Sequence, residues 1–485
     1  MAIKVLSTDL HIVNTRLRIP FRFGIVTLTE LPHLFVRANV QIDGKVQHGL
    51  AADFLPNKWL TKNPATTFEQ DIVRMLEIIK MACQIAQSAG SRESVFDLWE
   101  HLYTAHSAWT GGWGDPPLLA AFGPSLVERA IIDAFCKQRG ITFSTAIREN
   151  QLGIRLGRIH AELSGAEPRD LLPREPERQI IVRHTVGLTD PLTDQQIAAA
   201  DRVDDGLPQS LEACVAHYGL SYFKIKLWGD VARDQERVAE CADVLGRLCR
   251  GPYAFTLDGN ENFKAVEPFR EFWAGLTQSP KLRDFLSHLI FVEQPLHRDV
   301  ALNQHVAEAF ANWKDRPPII IDESDGTTTT VKQAIEMGYA GSSHKNCKGV
   351  IKGIANGCLL AHRRRIDPSR SYVQSAEDLT NIGPVALMQD LSVLASLGIN
   401  HAERNGHHYF RGLSMFPRDL ADAALAAHPD LYWRDSHGTV TARIEDGTMR
   451  IGSVVDKAFG VGAPIDPSRF TPADDWKYAS LLKQS

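Results

Sequence analysis

The spacing of hydrophobic residues divides the chain into a β-rich beginning, a helical stretch and a long region of alternating strands and helices. Residues 3–60 contain alternating or β-branched runs, and Asp43-Gly44 between two of them is a typical hairpin turn. Apolar residues then recur at helical spacing over 66–105. The glycine- and proline-rich segment 111–117 reads as a loop and marks a candidate domain boundary.

From about residue 180, short β-rich runs alternate with helical segments. The runs lie at 180–186, 222–227, 253–258, 289–293, 318–323, 341–345, 371–375 and 398–403. Their starts are roughly 23–42 residues apart, which is the spacing of strand–helix–strand units. Eight such units predict an α/β fold with a closed (β/α)8 TIM barrel rather than an open sheet.

Composition restricts the class of protein further. The 485 residues are 44% hydrophobic and 23% charged, with a net charge of −5, so no basic surface predicts binding to nucleic acid. The seven cysteines form no C-x-x-C pair, which indicates reduced thiols in a cytoplasmic protein. Residues 1–20 contain no long apolar run, so no secretory signal is expected, and no run of about 18 apolar residues predicts a membrane helix.

Charged residues stand at the carboxyl ends of five consecutive predicted strands, where the active site of a parallel barrel lies. Strands two to six end, in order, in Lys224-Ile225-Lys226, Asp258, Glu293, Asp322-Glu323 and Lys345. Side chains alternate along a strand, so the two lysines of strand two face the same side. The sequence therefore predicts three carboxylates flanked by lysines at one end of the barrel.

Each of these motifs has a simpler interpretation when taken alone. Asp258 could begin an ordinary turn, Asp322 and Glu323 could cap a helix, and a Lys-x-Lys pair could lie on a solvated strand face. Together, however, three converging carboxylates would repel one another and would be costly to bury. A hard divalent cation removes that conflict, and a ligand set of oxygens alone favours Mg²⁺, or Mn²⁺, over Zn²⁺.

The lysines suggest the chemistry that such a metal would assist. A lysine with its ordinary pKa of about 10.4 is a poor base at neutral pH. A second ammonium group and a nearby cation both lower the pKa, so Lys226 could act as a base. Loss of a proton next to a carboxylate creates an enediolate, whose extra charge a metal can stabilise.

With these motifs, the sequence resembles the enolase superfamily, in the muconate-lactonizing-enzyme branch of the mandelate racemase/muconate lactonizing enzyme-like proteins. The matching segments are K-I-K (224–226), L-D-G-N (257–260), V-E-Q-P (292–295), I-D-E-S (321–324) and S-H-K-N-C-K-G (343–349). Members use a Lys or His base together with Mg²⁺. The resemblance implies that Lys226 and Lys345 are the acid/base pair, that Lys224 tunes Lys226, and that Asp258, Glu293 and Asp322 bind the metal.

The resemblance also implies a domain arrangement. Residues 1–115 are expected to form an α+β capping domain, residues 116–430 the catalytic barrel, and residues 431–485 a C-terminal segment that completes the cap. One departure affects the second base, because Lys345 is followed by a second lysine, Lys348, and by a single glycine. Either lysine could be the catalytic one.

Candidate substrate-binding residues come from the cap and from the strand-end loops. The set is Arg22, Phe23, Asn260, Glu323, Glu377, Asp378 and Glu403. His184, on predicted strand one, is interpreted either as a core histidine or as a pocket residue. The expected partner is a small carboxylate that carries apolar groups, and the family suggests a homo-oligomer.

Several outcomes remain open. Lysines on both faces of a substrate permit racemisation or epimerisation, cycloisomerisation, or β-elimination. The alternatives are an acid-sugar dehydratase or racemase of the mandelate-racemase type, and a non-catalytic barrel that acts as a binding or scaffold protein. The strand-seven run SYVQS has no histidine, which disfavours the mandelate-racemase type. A missing ligand or lysine would favour the scaffold, yet all are present.

Overall fold

The computed structural model describes residues 1–23, 26–56, 58–249 and 251–482. The side chain of Phe23 also lies outside the described part. None of the described helices is both long enough and apolar enough to cross a membrane.

The chain begins with an antiparallel sheet. Its strands are β1 (Ile3–Phe23), β2 (Val26–Ile42) and β3 (Lys45–Phe54). The predicted turn Asp43-Gly44 joins β2 to β3, and both residues have a positive φ, 47° and 83°. Two successive left-handed residues are what a two-residue hairpin loop requires, which explains the choice of Asp and Gly.

Three helices cover this sheet: α1 (Phe68–Ser88), α2 (Val95–Gly111) and α3 (Pro117–Arg139). The single helical stretch predicted over 66–105 is therefore two helices, α1 and α2. Helix α3 packs directly on β3, because a Cβ atom at Gly49 would lie 1.9 Å from the carbonyl oxygen of Ala130. Only a glycine permits that close approach. Whether a domain boundary follows residue 115 stays a prediction.

Short helices lead into a sheet of parallel strands. The helices are α4 (Phe143–Arg148), α5 (Leu156–Ile159) and α6 (Pro168–Leu171). The parallel strands are β4 (Gln179–Val186), β5 (Tyr222–Lys226), β6 (Ala254–Asp258), β7 (Leu289–Glu293), β8 (Ile319–Ile321), β9 (Gly341–His344), β10 (Val373–Ala376) and β11 (His401–Glu403). All eight predicted strands are present within a few residues of their predicted positions.

Helices connect these strands and form the outer layer. They are α7 (Leu211–Tyr218), α8 (Val231–Leu248), α9 (Val266–Gln278), α10 (Arg283–Leu286), α11 (Arg298–Ala301), α12 (Gln304–Ala311), α13 (Thr330–Glu336), α14 (Val350–Ile366), α15 (Ala386–Leu397), α16 (Gly406–Tyr409) and α17 (Arg418–Ala427). The alternation confirms the predicted (β/α)8 barrel.

The parallel strands run in chain order from β4 to β10, and β11 pairs with β4. Among the described residues no ladder of hydrogen bonds joins β10 to β11. A buried arginine spans this seam instead: Arg183 on β4 donates to Ser375 Oγ at 2.9 Å, and its other terminal nitrogen lies 2.9 Å from His401 Nδ1. The curled sheet is thus closed by side chains as well as by backbone.

The end of the chain contributes to both parts of the molecule. Its elements are β12 (Tyr432–Arg434), β13 (Val440–Ala442), β14 (Thr448–Arg450), α18 (Gly452–Val455), β15 (Thr471–Pro472) and α19 (Tyr478–Leu481). Strand β15 pairs with β1 of the cap, as predicted for this segment. Strand β14 pairs with the barrel strand β4, which the sequence did not suggest. The tail therefore ties cap to barrel.

A buried ion pair beneath the cap sheet is linked to the barrel by a hydrogen bond. Arg129 on α3 lies 2.8 Å from Asp53 on β3, and both side chains are almost fully buried. Asn381, which follows β10, donates to the same carboxylate at 3.2 Å. Because breaking a buried pair leaves an uncompensated charge, this contact fixes the cap over the carboxyl ends of the barrel strands.

The cap sheet buries a histidine that titrates far from its usual range. His33 packs against the rings of Phe35, Phe54 and Phe416, and neither ring nitrogen has a hydrogen-bond partner. Burial, with a smaller contribution from Arg129, lowers the pKa of His33 to about 3. The native protein therefore keeps this imidazole neutral in mildly acidic solution, whereas the unfolded chain protonates it below its ordinary pKa of about 6.5.

We expect His33 to make stability depend on pH. Between about pH 6.5 and pH 4 the unfolded state binds one more proton at this site than the folded state does. The free energy of unfolding therefore falls by about 1.4 kcal/mol for each unit by which the pH is lowered. Denaturant unfolding at several pH values should show a shallower fall for His33→Phe than for the wild type. His305→Asn, at an exposed position, is the matched control and should keep the wild-type slope. Equal slopes for the wild type and His33→Phe would contradict the assignment.

Candidate active site

A cavity of about 450 Å³, counted with its open mouth, lies between the cap and the carboxyl ends of the barrel strands. Polar and charged residues from the barrel form its floor: Lys226, Asn260, Lys345, Glu377, Asp378, Thr380, Glu403 and Asn405. The cap forms an apolar wall from Phe21, Leu28, Leu31, Pro56 and Trp59. This is the end of the barrel at which the sequence predicts the site.

Lys224 lies beneath this floor, with none of its side chain exposed. Its Nζ atom is 2.9 Å from Asp258 Oδ2, 2.9 Å from Glu293 Oε2, 3.0 Å from Glu377 Oε2 and 2.6 Å from Glu403 Oε2. These carboxylates come from four different strand ends. A single ammonium group therefore holds the carboxyl ends of β6, β7, β10 and β11 together.

The two lysines predicted as acid and base face the cavity from opposite sides. Lys226 on β5 has its Nζ 2.6 Å from Asp258 Oδ2. Lys345 follows β9, four strands further round the barrel, and its Nζ is 2.8 Å from Asp322 Oδ2 and 3.0 Å from Glu377 Oε1. The ring of Trp59 covers Lys345 at 3.8 Å. Lys226 is thus held mainly by Asp258 and Lys345 by Asp322 and Glu377, and both lysines line the cavity.

The alternative base, Lys348, has a different environment. Its Nζ donates to Asp322 Oδ1 at 2.6 Å and to the carbonyl oxygens of Asp322 and Ser343 at 2.8 and 2.7 Å. Lys348 does not line the cavity. The geometry therefore favours Lys345 as the lysine that can reach a substrate.

Three carboxylates present oxygens close enough to share one cation. Oxygens of Glu293, Asp322 and Glu377 lie within 4.8 Å of one another, and all three residues are buried. Neither oxygen of Glu293 accepts a hydrogen bond of normal geometry, although Lys224 lies nearby. A buried oxygen without a donor is what a metal ion satisfies, so the set fits Mg²⁺ or a similar hard cation.

The converging group differs from the predicted ligand set in one member. Glu377 takes the place expected for Asp258, whose carboxylate is engaged by Lys224, Lys226 and the backbone N–H of Asn260. Burial would raise the pKa of Asp258, but Lys224 and Lys226 outweigh it and hold that pKa at about 2. Asp258 is therefore an anion ready to bind a cation, although it faces lysines here.

Without a bound metal, the pKa of Lys226 lies above its ordinary value, whereas the sequence predicts a lowered pKa beside a bound cation. Burial and the neighbouring Lys224 both lower it, but Asp258 and Glu403 raise it more, so the pKa lies above its ordinary value. In this arrangement Lys226 is an ammonium group at neutral pH. The expectation considered only the second lysine and a metal, and it left out the carboxylate 2.6 Å away.

The lysines also weaken the electrostatic argument for a metal. Among the described residues, the cavity floor and the layer beneath it hold four lysines and five carboxylates close together. They are Lys224, Lys226, Lys345 and Lys348, and Asp258, Glu293, Asp322, Glu377 and Glu403. Most of the negative charge is thus compensated. The metal is supported by the buried Oε1 of Glu293, which has no hydrogen-bond donor, rather than by an excess of charge.

The predicted substrate-binding residues divide into three groups. Asn260, Glu377, Asp378 and Glu403 line the cavity, although Asp378 pairs with Arg404. Glu323 lies below, where Asn260 Nδ2 donates to it at 3.2 Å, and burial together with Asp322 raises its pKa to about 8. Arg22 is exposed and donates to Thr189, away from the cavity, and the side chain of Phe23 lies outside the described residues.

Apart from Phe21, which lies in the predicted cap segment, sequence reasoning missed the cap residues that face the cavity. Trp59 is held by Arg298 on α11, which donates to the carbonyl oxygens of Trp59 and Leu60 at 2.9 and 3.0 Å and pairs with Glu261. This anchor lies 239 residues from Trp59 in the chain. The predicted Arg22 and Phe23 lie in the segment of β1 that reaches the cavity. Side chains alternate along this strand, however, so Phe21 faces the cavity and Arg22 faces outward.

No family model matches the chain, and no curated protein matches it by sequence. Solved structures do match. One is a mandelate racemase/muconate lactonizing protein from Herpetosiphon aurantiacus, at 15% identity and a TM-score of 0.59, covering 96% of this chain and 99% of that one. Another is the muconate lactonizing enzyme of Pseudomonas fluorescens with muconolactone, at 16% identity and a TM-score of 0.58, covering 96% and 98%.

A third match is a dipeptide epimerase from Enterococcus faecalis, in complex with Mg and the dipeptide L-Leu-L-Tyr. It is 14% identical with a TM-score of 0.54, and the match covers 84% of this chain and 92% of that one. Because these matches cover 84–96% of this chain, the likeness extends over both the cap and the barrel. The chain has the fold of the enolase superfamily, a capping domain over a TIM barrel, in the form found in mandelate racemase and muconate lactonizing enzymes.

Proposed function

We propose that this protein is a Mg²⁺-dependent enzyme of the enolase superfamily that removes the proton next to a substrate carboxylate. The observation that carries the proposal is the pair Lys226 and Lys345, which line one cavity from strands four places apart in the barrel. A carbon atom held between them would face one ammonium or amine group on each side. That arrangement suits removal of a proton on one face and its return on the other.

The neighbouring carboxylates give each lysine its proton state and position. Asp258 fixes Lys226, and Asp322 and Glu377 fix Lys345. Both lysines have a raised pKa, so each is a proton donor before the reaction, and one must lose its proton before it acts as a base. Mg²⁺ bound by Glu293, Asp322 and either Glu377 or Asp258 would supply positive charge against the charge that builds up on the substrate carboxylate, and would lower the proton affinity of the nearby lysines.

The cavity indicates the class of substrate. Its floor is charged and its wall is apolar, with Phe21, Leu28, Leu31 and Trp59. A carboxylate that carries an apolar or aromatic group would place its charged end on the floor and its apolar part against the cap. A small acid with apolar side groups, such as an N-acylated amino acid or a hydrophobic dipeptide, fits this description better than a polyhydroxylated acid sugar.

Racemisation or epimerisation is the reaction that the opposed lysines support most directly. Cycloisomerisation and β-elimination use the same first step and differ in what the second lysine does. The mandelate-racemase type expects a histidine near strand seven. Here the residue after β10 is Glu377, which disfavours that alternative. The scaffold alternative gains one observation, because Lys224 already neutralises the carboxylates that a metal would bind.

Exchange of the α-proton with D₂O tests the two lysines. Racemic N-acyl amino acids and dipeptides incubated with the protein and Mg²⁺ should take up deuterium, and each pure enantiomer should depend on one lysine. Lys226→Ala should slow exchange of one enantiomer by about 10²-fold or more, and Lys345→Ala that of the other, because each lysine serves one face. The readout is deuterium content by mass spectrometry or NMR.

The controls for this experiment are two other lysines. Lys332→Ala, on the exposed side of α13, should exchange at the wild-type rate. Lys348→Ala should weaken Mg²⁺ dependence through Asp322 while preserving the enantiomer preference. If Lys226→Ala and Lys345→Ala both exchange as fast as the wild type, the proposed chemistry is wrong.

Metal binding is testable without a substrate. Mg²⁺ at 100 times its dissociation constant should raise the free energy of unfolding by about 2.7 kcal/mol, and EDTA should reverse the effect. Glu293→Gln and Asp322→Asn should remove this response, whereas Glu271→Gln, exposed on α9, should keep it. Thermal unfolding with and without Mg²⁺ measures it. A wild-type protein that is indifferent to Mg²⁺ would favour the scaffold alternative.

The position of Lys224 leads to a linked prediction. Lys224→Met removes the ammonium group among buried carboxylates and should destabilise the metal-free protein by about 3–5 kcal/mol. Mg²⁺ should restore more stability to this variant than to the wild type, because the cation then supplies the missing charge. Lys352→Met, at an equally buried lysine paired with Asp325, should be destabilised without that extra response to Mg²⁺. An Mg²⁺ response in Lys224→Met no larger than that of the wild type would count against a metal among these carboxylates.

A further inference from the structure

A second group of metal-binding side chains lies outside the cavity, on the other side of the barrel wall. One ligand atom each from His184, Cys214 and His408 lie within 4.8 Å of one another. His184 is on β4, Cys214 on α7 and His408 on α16. The proposed reaction uses none of them, and none lines the catalytic cavity.

The alternation of β4 explains why this group is separate from the catalytic floor. Arg183 and Thr185 point into the barrel, where Thr185 donates to Glu403. His184, between them, points outward toward the helix layer. The group is therefore enclosed by a strand, the first barrel helix and the segment after the last strand, and all three side chains are at least 96% buried.

The separation of Cys214 from His408 is close to that of two ligands in a tetrahedral zinc site. With Zn–N of about 2.0–2.1 Å and Zn–S of about 2.3 Å, neighbouring ligand atoms in a tetrahedron are about 3.3–3.6 Å apart. Cys214 Sγ and His408 Nδ1 are 3.6 Å apart. A sulfur with two imidazole nitrogens is a donor set that selects Zn²⁺ over the hard cations suited to the catalytic carboxylates.

A third histidine, His407, orients the set. Nδ1 of His184 lies 3.2 Å from Nε2 of His407, so His407 engages one nitrogen of His184 and leaves the other for a metal. Histidines that bind metals usually have their second nitrogen held in this way. His407 is itself buried, and its Nδ1 has no hydrogen-bond partner. Such an unsatisfied atom beside the cluster needs an ordered ligand or water.

We infer that His184, Cys214 and His408 bind a Zn²⁺ ion, with His407 orienting His184 or completing the coordination. The ion would link the first strand and helix of the barrel to the segment after the last strand. Binding would convert the Cys214 thiol to a thiolate and release its proton to solvent. Since α16 follows Glu403 by a few residues, the ion would stabilise the chain that positions this carboxylate.

The cap reaches the same place. Arg18 on β1 donates to the carbonyl oxygen of His408 at 2.9 Å and pairs with Asp205. A zinc ion under His408 would therefore fix the platform on which part of the cap rests. Its role would be structural, and its loss should lower stability before it alters the chemistry in the cavity.

Metal analysis of the full-length protein tests the inference. Protein produced with added zinc and dialysed against excess Mg²⁺ should retain about one zinc per chain by mass spectrometry. Cys214→Ser and His408→Gln should lose it. Cys241→Ser, a buried cysteine on α8, and Asp322→Asn, in the catalytic group, should both retain it. Zinc lost from Asp322→Asn and kept in Cys214→Ser would place the ion among the carboxylates and overturn the inference.

A spectroscopic arm protects the test from variants that fail to fold. Co²⁺ added to metal-free wild type should give a thiolate-to-cobalt charge-transfer band and the strong visible bands of four-coordinate cobalt, and zinc should displace them. A folded Cys214→Ser protein should lack the charge-transfer band, and Cys241→Ser should show it. If the wild type binds no zinc and shows no such band with Co²⁺, the inference is wrong, and the cluster is only three packed neutral histidines beside a thiol.

Discussion

The arrangement of the barrel mouth depends on one buried cation. Lys224 has no exposed side-chain surface, and carboxylates from four strand ends lie within 3.0 Å of its Nζ. Without that ammonium group, the same carboxylates would repel one another in a region of low dielectric. Burial and the neighbouring Glu377 raise the pKa of Glu293, whereas Lys224 and Lys345 keep the pKa of Glu377 low despite burial and Asp322. Glu293 and Glu377 therefore differ in proton affinity, Glu293 holding a proton more readily than Glu377.

The seam of the barrel passes through this cluster. Strands β10 and β11, which no described ladder joins, carry Glu377 and Glu403 at their ends, and Lys224 holds both. Lower in the barrel, Arg183 bridges the same two strands. The side chains that close the seam are thus partly those that build the site. A substitution in one would be felt in both stability and chemistry.

The division of labour between cap and barrel follows from where each side chain is fixed. The barrel floor is held by charge pairs between strand ends, while the cap wall is apolar and is positioned by a few long-range contacts, including Arg298 with Trp59 and Asn381 with Asp53. Fixed charges suit a reaction step that changes charge, and an adjustable apolar wall suits discrimination between substrates. The zinc site proposed behind β4 would act on neither directly, but would hold the segment that joins them.

Much of this could be predicted from the sequence because it follows from local rules. The strand–helix alternation, the hairpin at Asp43-Gly44 and the placement of Lys224, Lys226, Asp258 and Glu293 at strand ends need only periodicity and the geometry of a parallel barrel. Those rules say which end of the barrel a residue occupies. They do not say which partner it meets, since that depends on how far the sheet curls.

Tertiary structure decided the rest, for that reason. The curl brings Glu377 beside Glu293 and Asp322, gives Lys226 the partner that raises its pKa, and turns Lys348 away from the cavity. It also brings His184 to Cys214 and His408, which are separated in the chain by 194 residues. The sequence by itself determined the fold and the end of the barrel that carries the chemistry. The pairing of charges, the cap residues over the cavity and the second histidine cluster required the folded chain, because contacts between distant strands set them.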